Sequence, residues 1–522
     1  MDERGTVPAL LAARAAQQPQ RDALRVESLD SLTFGAWWRR SAALADALVG
    51  GGLGRGDRVV LHFGTRDWVD YAVAVCGVQL AGGVAVPSSD RLAPGQTRYV
   101  VEHSGAVLVL HGRRSPAPDT GVPAATVAHL IGAAPEGDRP PDDDRPPDGD
   151  GPPDGDDVAR RLAAVRPGDL AQLLYTSGTT GRPKGVAATH ANLTHGTAGA
   201  GRDPRRRPLG HSELFLHAFP IGTNAGQTML LNALDARPTA LVAPQFIAVR
   251  FARLVETHRV GTVFVVPSMA IELLTSGALD RHDLSSVQLL GSTAAPLPPW
   301  VAVRLAERLP GATIVNHYTS TEAAPAGVSM VFDPGRPGAV GRPAVGALAV
   351  RDEEGRTLPP GVTGEVWLRA PHARTYYRDE EATGRTFRAG WVRMGDLGHL
   401  DRHGYLHLVD REQDVVKSGA DKVSTIGVEA AVHEHPDVAE AAVFGVPHPV
   451  LGTAVAVAVV PRPGADAPTL PQLRGFLRGR LAGHELPGEL FVLDALPRND
   501  GGKVLKTSLR ERFGAAPATR QG

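Results

Sequence analysis

The stretch Tyr175-Thr176-Ser177-Gly178-Thr179-Thr180-Gly181-Arg182-Pro183-Lys184-Gly185 joins features that an anion-binding loop needs and ordinary packing does not. Gly178, Gly181 and Gly185 let the backbone come close to a ligand or take positive φ. Thr176, Ser177, Thr179 and Thr180 supply short donors, and Lys184 supplies a cation that reaches a phosphate. The preceding Leu170–Leu174, interrupted by Gln172, predicts a short buried strand ending at the loop. The stretch reads as a triphosphate loop. The common nucleotide signature G-x-x-x-x-G-K-[ST] is not met, because Gly185 follows the lysine where a metal-binding Ser or Thr is required, and this argues against a kinase or GTPase.

Lysine usage sharpens the point. Among 55 Lys and Arg residues only five are lysine: Lys184, Lys417, Lys422, Lys503 and Lys506. In a chain this biased towards arginine, a retained lysine marks a task suited to a compact, flexible ammonium rather than a planar fork. Lys184 and Lys503, both in glycine-rich settings, are the candidates; Lys422 reads equally as a surface residue, and Lys506 as a fixing point for the C-terminal segment.

The chain is 522 residues long, and at ~100 to 200 residues per domain two or more domains are expected. A net charge of −1 gives no sign of a nucleic-acid or anionic-membrane surface. The single cysteine, Cys76, lies in an apolar run; it excludes an internal disulfide, a cysteine-only zinc site and an iron–sulfur centre, and reads as a buried structural thiol. The N-terminus lacks a basic region followed by an apolar signal core, and the apolar Tyr71–Val86 is broken by Gln79 and glycines. A cytoplasmic monomer or homodimer is expected.

Along the chain, helical patterns such as Phe34–Leu53 mix with short apolar runs such as Ala106–Leu110. From Pro135 to Asp157 the sequence is dominated by Pro, Gly and Asp in recurring Pro-Pro-Asp-Gly-Asp units, which predicts a disordered loop. Strand-like Gly261–Val266, Ser286–Leu290 and Ala312–Asn316 then alternate with helical stretches such as Trp300–Leu309, again α/β. The last part differs: a hairpin-like Ala439–Val460, then Leu470, Leu473, Phe476, Leu477 and Leu481 at helical spacing, then a strand at Leu490–Leu493. The fold class is α/β, with a large N-terminal domain over residues 1–409 and a small α+β lid over 410–522.

Five motifs in order resemble the superfamily of adenylate-forming enzymes, which includes acyl-CoA synthetases, nonribosomal peptide synthetase adenylation domains and luciferases. Thr176–Gly185 resembles its phosphate loop; Tyr318-Thr319-Ser320-Thr321-Glu322 resembles Tyr-Gly-x-Thr-Glu; Trp391–Leu397 resembles Trp-x-x-Thr-Gly-Asp-Leu with Met394 for the threonine. Asp410-Arg411-Glu412-Gln413-Asp414 resembles the hinge, and Pro497–Lys503 the C-terminal Pro-x-x-x-x-Gly-Lys.

The resemblance implies that a carboxylate attacks the α-phosphate of ATP to give an acyl-adenylate, and that a thiol then displaces AMP. It implies Mg²⁺ on Glu322, the α-phosphate on Thr321, ribose on Asp396 and Arg411, the adenine side on Tyr318 and Ala294-Ala295-Pro296, and the phosphates on Thr176, Ser177, Gly178, Thr179, Thr180, Gly181 and Lys184. Lys503 would bridge carboxylate and α-phosphate. The lid would turn about Gln413, which replaces the usual Asp or Lys, and bring the Lys417-Ser418-Gly419-Ala420 hairpin to the thiol channel.

Departures from the family bear on the acid. Thr223 stands where an aromatic often gates the acyl pocket, and Asn224 where amino-acid-activating relatives carry Asp, which disfavours an α-amino acid because its buried ammonium would lack an anionic partner. Thr319 stands where the family has a glycine beside the acyl group, and narrows the pocket or adds a hydroxyl, and Thr293 stands where glycine is common in the loop Gly291–Leu297, which resembles the family's adenine-side loop; both are substrate-pocket candidates. An aryl or a short to medium aliphatic acid is expected. No carrier motif Gly-x-Asp-Ser-Leu follows Arg510, so the thiol is expected on coenzyme A or on the phosphopantetheine of a separate acyl carrier protein, with transfer to another nucleophile or a noncatalytic nucleotide-binding relative as rivals.

Overall fold

The computed structural model describes residues 5–132, 155–176, 182–195, 212–235, 238–336, 338–370, 372, 374–419, 421–462, 464–499 and 501–514. Ser177, Gly178, Thr179, Thr180 and Gly181, Ala420 and most of the 135–157 stretch therefore lie outside the described residues.

Two large sheets share one core. The eight-stranded sheet runs Val328–Val331, Thr313–Tyr318, Leu289–Ser292, Thr262–Val265, Leu214–His217, Thr239–Val242, Asp22–Val26, Ser31–Thr33. The seven-stranded sheet runs Thr375–Tyr376, Lys184–Thr189, Leu170–Thr176, Val84–Ser89, Arg58–Phe63, Ala106–His111, Ala124–Thr126. Between them, Val59, Leu61 and Phe63 from one sheet and Phe215, Ala240 and Val242 from the other join the helix Trp68–Leu80 in a single apolar cluster. That helix is apolar all round and buried at every position. Its Asp70 is neutralised by Arg40 at 2.7 Å and Arg113 at 2.7 Å, and its Gln79 donates to the Ala171 carbonyl. Cys76 is buried in it, and burial pushes its thiol pKa far up, as a structural thiol requires.

A six-stranded sheet follows, built around Gly364–Arg369, Trp391–Leu400 and Leu406–Arg411. The C-terminal part pairs the hairpin Val438–His448/Gly452–Pro461 with Glu489–Val492. Its inner faces carry two small clusters, one with Val443, Val457 and Leu473, the other with Phe444, Ala456 and Leu509.

Two expectations need correction. The stretch read as disordered ends early, because the helix Gly155–Ala164 begins inside it. Asp156 and Asp157 sit in its first turn, where acidic side chains favour the helix dipole, and Val158 and Leu162 pack against Ala42, Ala45 and Leu80. The strand expected at Ser286–Leu290 lies at Leu289–Ser292, because Asp283 accepts from the Ser285 amide at 2.8 Å and turns the chain there.

Candidate active site

The C-terminal ends of the strands Thr313–Tyr318 and Leu289–Ser292 open into a cavity lined by Ala294, Ala295, Pro296, Asn316, His317, Tyr318, Thr319, Met394, Asp396 and Arg411, among others. Three polar side chains meet there, two of them by strand register. Asp396 and Arg411 are cross-strand partners, with the Arg411 guanidinium nitrogen 3.4 Å from the Asp396 carboxylate. The Tyr318 hydroxyl donates to the other Asp396 oxygen at 2.6 Å. Burial first, and then the Asp396 charge, push the Tyr318 pKa well up, so the phenol stays a donor. Ala294, which also lines the cavity, holds φ at 73°, a left-handed conformation that costs a non-glycine residue about 1 kcal/mol. Asn316 Oδ1 and Ser292 Oγ are buried without a hydrogen-bond partner among the described residues. Asn316 was not singled out from the sequence; its place two residues before Tyr318 on one strand, hence on the same face, is the signal that finds it.

A second group surrounds the base of the candidate phosphate loop. Thr176 and Lys184 pair across the antiparallel strands Leu170–Thr176 and Lys184–Thr189, so the two ends of the loop are held together and Lys184 stands at its foot. The Lys184 ammonium lies 4.9 Å from the Tyr376 ring centroid and 3.6 Å from Asp379. The Tyr376 hydroxyl donates to Glu322 at 3.0 Å, so one phenol carries Lys184 over its ring and Glu322 at its hydroxyl. Arg374, only 5% exposed, donates to the Thr321 carbonyl at 2.7 Å. Burial lowers its pKa to about 10, against the pull of Glu322, so it remains a cation at neutral pH. Neither Arg374 nor Tyr376 stood out in the sequence.

Lys503 comes from the other end of the chain. Its amide donates to Asn499 Oδ1 at 2.9 Å and Arg498 donates to the Gly502 carbonyl at 2.7 Å, which closes a tight turn with Gly502 at φ 79°. A Cβ on Gly501 would lie 3.7 Å from Thr223 Cγ2, and one on Gly502 3.2 Å from Val266 Cγ2 and 3.6 Å from Ser268 Oγ, so the turn is seated against the N-terminal part. Burial and the Arg411 charge lower the Lys503 pKa to about 8, with Asp414 and Asp396 opposing, which places the ammonium in the field of the Tyr318–Asp396–Arg411 corner. Lys506 instead pairs with Glu429 at 2.8 Å and Thr425 at 2.6 Å, a fixing role.

On the expected acid side, Thr223 Oγ1 donates to the Pro220 carbonyl at 2.8 Å and accepts from the Gly226 amide at 3.1 Å. Thr319 Oγ1 donates to the Ala326 carbonyl at 2.7 Å. Both hydroxyls are thus tied to backbone. Asn224 opens the helix Asn224–Asp235, and Thr293 follows the strand Leu289–Ser292. Met394 lines the cavity and accepts from Ser320 Oγ at 3.9 Å. Gln413 is exposed, beside Asp414, which Arg510 holds at 2.7 Å. Gly419, at φ 61°, turns between the strands Val416–Ser418 and Asp421–Val423 and is not among the residues that line this cavity.

A tyrosine, carboxylate and arginine at one end, a lysine-footed loop and a carboxylate at the other, and a second lysine delivered from the C-terminal part suit a nucleotide triphosphate and an anionic co-substrate. Comparison with known proteins agrees. The family model described as AMP-binding enzyme matches residues 11–377, and that of the AMP-binding enzyme C-terminal domain matches residues 427–503. A feruloyl-CoA synthase from Amycolatopsis sp is 33% identical over 517 residues, covering 96% of this chain and 98% of the relative. The solved structure of ATP-bound MatB from Rhodopseudomonas palustris superposes with a TM-score of 0.80 at 28% identity, over 98% of this chain and 99% of that one. That of the amide bond synthetase McbA from Marinactinospora thermotolerans gives a TM-score of 0.75 at 26% identity, over 96% and 99%.

Proposed function

From the premise that this chain belongs to the AMP-binding enzyme family, we propose that it is an AMP-forming acid:CoA ligase, and that the side chains gathered in the cavity divide the work as follows. The observation that carries the reading is that the C-terminal part seats the Lys503 turn close to Thr223, Val266 and Ser268 of the N-terminal part.

In the first half-reaction a carboxylate oxygen of the acid attacks the α-phosphorus of ATP, the bond to the bridging oxygen breaks, and pyrophosphate leaves. Asp396 accepts from the ribose hydroxyls with Arg411 as a further donor, and Tyr318 keeps Asp396 oriented. Asn316, with its unpartnered oxygen, faces an exocyclic amine on the adenine side, beside Ala294–Pro296. Lys184 and the loop over 176–185 hold the β- and γ-phosphates, Thr321 meets the α-phosphate, and Lys503 bridges it to the attacking carboxylate, neutralising charge as it moves. Mg²⁺, when bound, neutralises the departing pyrophosphate. Glu322 fits it as a single hard oxygen ligand, since a magnesium ion commonly takes one or two carboxylates and completes its shell with phosphate and water. No group of three or more His, Cys, Asp or Glu among the described residues holds a metal without the nucleotide.

In the second half-reaction the coenzyme A sulfur attacks the acyl carbon, its proton goes to solvent and AMP leaves. The division between residues 1–409 and 410–522, with turning at Gln413, withdraws Lys503 and brings Gly419 and its hairpin to the thiol. The acid lacks an α-ammonium, since Asn224 offers no charge to pair with one. The likeness to an amide bond synthetase keeps transfer of the acyl group to an amine as a second reading.

The test is pyrophosphate release with ATP and Mg²⁺ over aryl, aliphatic and amino acids, with and without coenzyme A. Acceleration by coenzyme A together with accumulation of an acyl-CoA is expected. Activation that ignores coenzyme A moves the acceptor to an amine or a carrier protein, and silence with every acid overturns the enzyme reading.

A further inference from the structure

The strands Thr262–Val265, Leu289–Ser292 and Thr313–Tyr318 lie side by side, with Phe264 opposite Gly291 and Gly291 opposite Val315. Positions two apart on a strand share a face, so His317 follows Val315 on the face that carries Phe264 and Gly291. A Cβ on Gly291 would stand 2.7 Å from the Phe264 ring and 3.2 Å from His317 Nε2. The phenyl and imidazole rings, 6.4 Å apart, therefore close over the glycine and leave little depth beneath them. His317 Nδ1 is held by Ser329 Oγ at 2.8 Å on the adjoining strand, and Nε2 has no hydrogen-bond partner among the described residues. His317 lines the cavity with Thr319, whose hydroxyl is spent on Ala326, while Thr223 spends its own as a helix cap. Nε2 is thus a polar atom still open to a ligand, beside the Phe264 ring and two threonines whose hydroxyls are bonded to backbone.

We infer that the acid bound here is compact and carries, remote from its reacting carboxylate, an uncharged hydrogen-bonding group, hydroxyl or carbonyl, that pairs with His317 Nε2. This rests on the ligase reading and adds the class of acid. Burial lowers the His317 pKa, so the ring is neutral at physiological pH, and the Ser329 hydroxyl, donor or acceptor, accommodates either tautomer. Among the described residues, Arg411, the cation that lines this cavity, pairs with Asp396, and Phe264, Thr319 and Thr223 offer a second carboxylate no positive charge. An all-carbon tail would desolvate Nε2 without replacing its bond to water. A site built to hydrogen-bond a substrate hydroxyl rejects the analogue lacking it far more strongly than an apolar pocket distinguishes chain lengths.

The experiment measures kcat/KM for pyrophosphate release with matched acids: benzoate against 3- and 4-hydroxybenzoate, hexanoate against 6-hydroxyhexanoate, and adipate and decanoate as charged-tail and long-tail members. These run on the full chain, on His317→Phe and on His317→Gln. At least one hydroxy acid is expected to exceed its parent by more than about fivefold, to outrun adipate and decanoate, and to lose that advantage to within about twofold in His317→Phe while His317→Gln keeps part of it. Because each ratio compares two acids on one protein, a loss of folded enzyme does not move it. Ratios below that throughout, an advantage unchanged in His317→Phe, or adipate or decanoate as the best acid each overturn the inference and leave the ligase reading standing. No pyrophosphate from any acid overturns both.

Discussion

The Tyr318–Asp396–Arg411 corner and the Lys503 turn belong to one proposed site but are built differently. The corner is fixed by strands: Asp396 and Arg411 face each other by sheet register, and Tyr318 ends a strand of a different sheet. The turn is closed by bonds within its own C-terminal part, Lys503 to Asn499 and Arg498 to Gly502 and Glu440, and lies close enough to Thr223, Val266 and Ser268 that a Cβ on Gly501 or Gly502 would touch them. Groups that hold the nucleotide through both half-reactions belong on the first kind of scaffold; a group needed in one belongs on the second. The contrast predicts which substitutions damage one half-reaction and which damage both.

The largest effect is expected from Lys503→Ala. Pyrophosphate release falls on the order of a thousandfold, by analogy with removal of a preorganised charge-stabilising group, while thioester formation from supplied acyl-adenylate changes by less than about threefold. Equal losses in both assays would make the turn a structural part of the corner. Next comes Asp396→Asn, which leaves a shape of similar size but gives Tyr318 and Arg411 a weaker acceptor. Both half-reactions are expected to slow, each by about tenfold to a hundredfold; a loss confined to adenylation would erase the contrast from the other side.

The third test is pH. Lys503, lowered to about 8, must be protonated to bridge two anions, so kcat/KM for adenylation falls as pH rises through about 8, and the thioester step from supplied acyl-adenylate lacks that limb. Stability moves the other way. Between about pH 8 and the ordinary lysine value near ~10.5, the unfolded chain holds the proton that the folded chain has released, so folding strengthens as pH rises through that window. Titrating activity and melting temperature together on wild type and Lys503→Met checks both signs, since the variant is expected to lose both trends.

The motifs of the candidate site stand out in the sequence because each is a contiguous run with unusual residue types: the glycine-rich stretch ending at Lys184, Glu322 after Thr321, Lys503 after two glycines. The groups that were missed owe their place to packing. Arg374 is one of many arginines in the sequence, and only its burial against the Thr321 carbonyl sets it apart. His317 and Asn316 look alike as polar residues in a strand, yet the pleat sends one towards Gly291 and the other towards Tyr318. The helix from Gly155 was hidden because Asp156 and Asp157 continue the acidic repeat before them; the apolar Val158 and Leu162 that pay for ordering it come only afterwards.

The smallest effect sharpens the contrast most, because Glu322 sits between the two scaffolds. It lies in the turn after the Tyr318 strand, and its hydrogen bond comes from Tyr376, at the far edge of the seven-stranded sheet. Tyr376→Phe removes that bond and keeps the ring against Lys184. A single hydrogen bond to a carboxylate is worth about 1.5 kcal/mol or somewhat more, roughly tenfold in an equilibrium. If Glu322 serves a metal that travels with pyrophosphate, the loss appears as a severalfold higher Mg²⁺ requirement for adenylation and leaves thioester formation unchanged, since no pyrophosphate remains by then. If the thioester step slows in parallel, Glu322 belongs with the corner as a part of the standing architecture, and the boundary between the two regions lies on the far side of the Thr321–Glu322 turn.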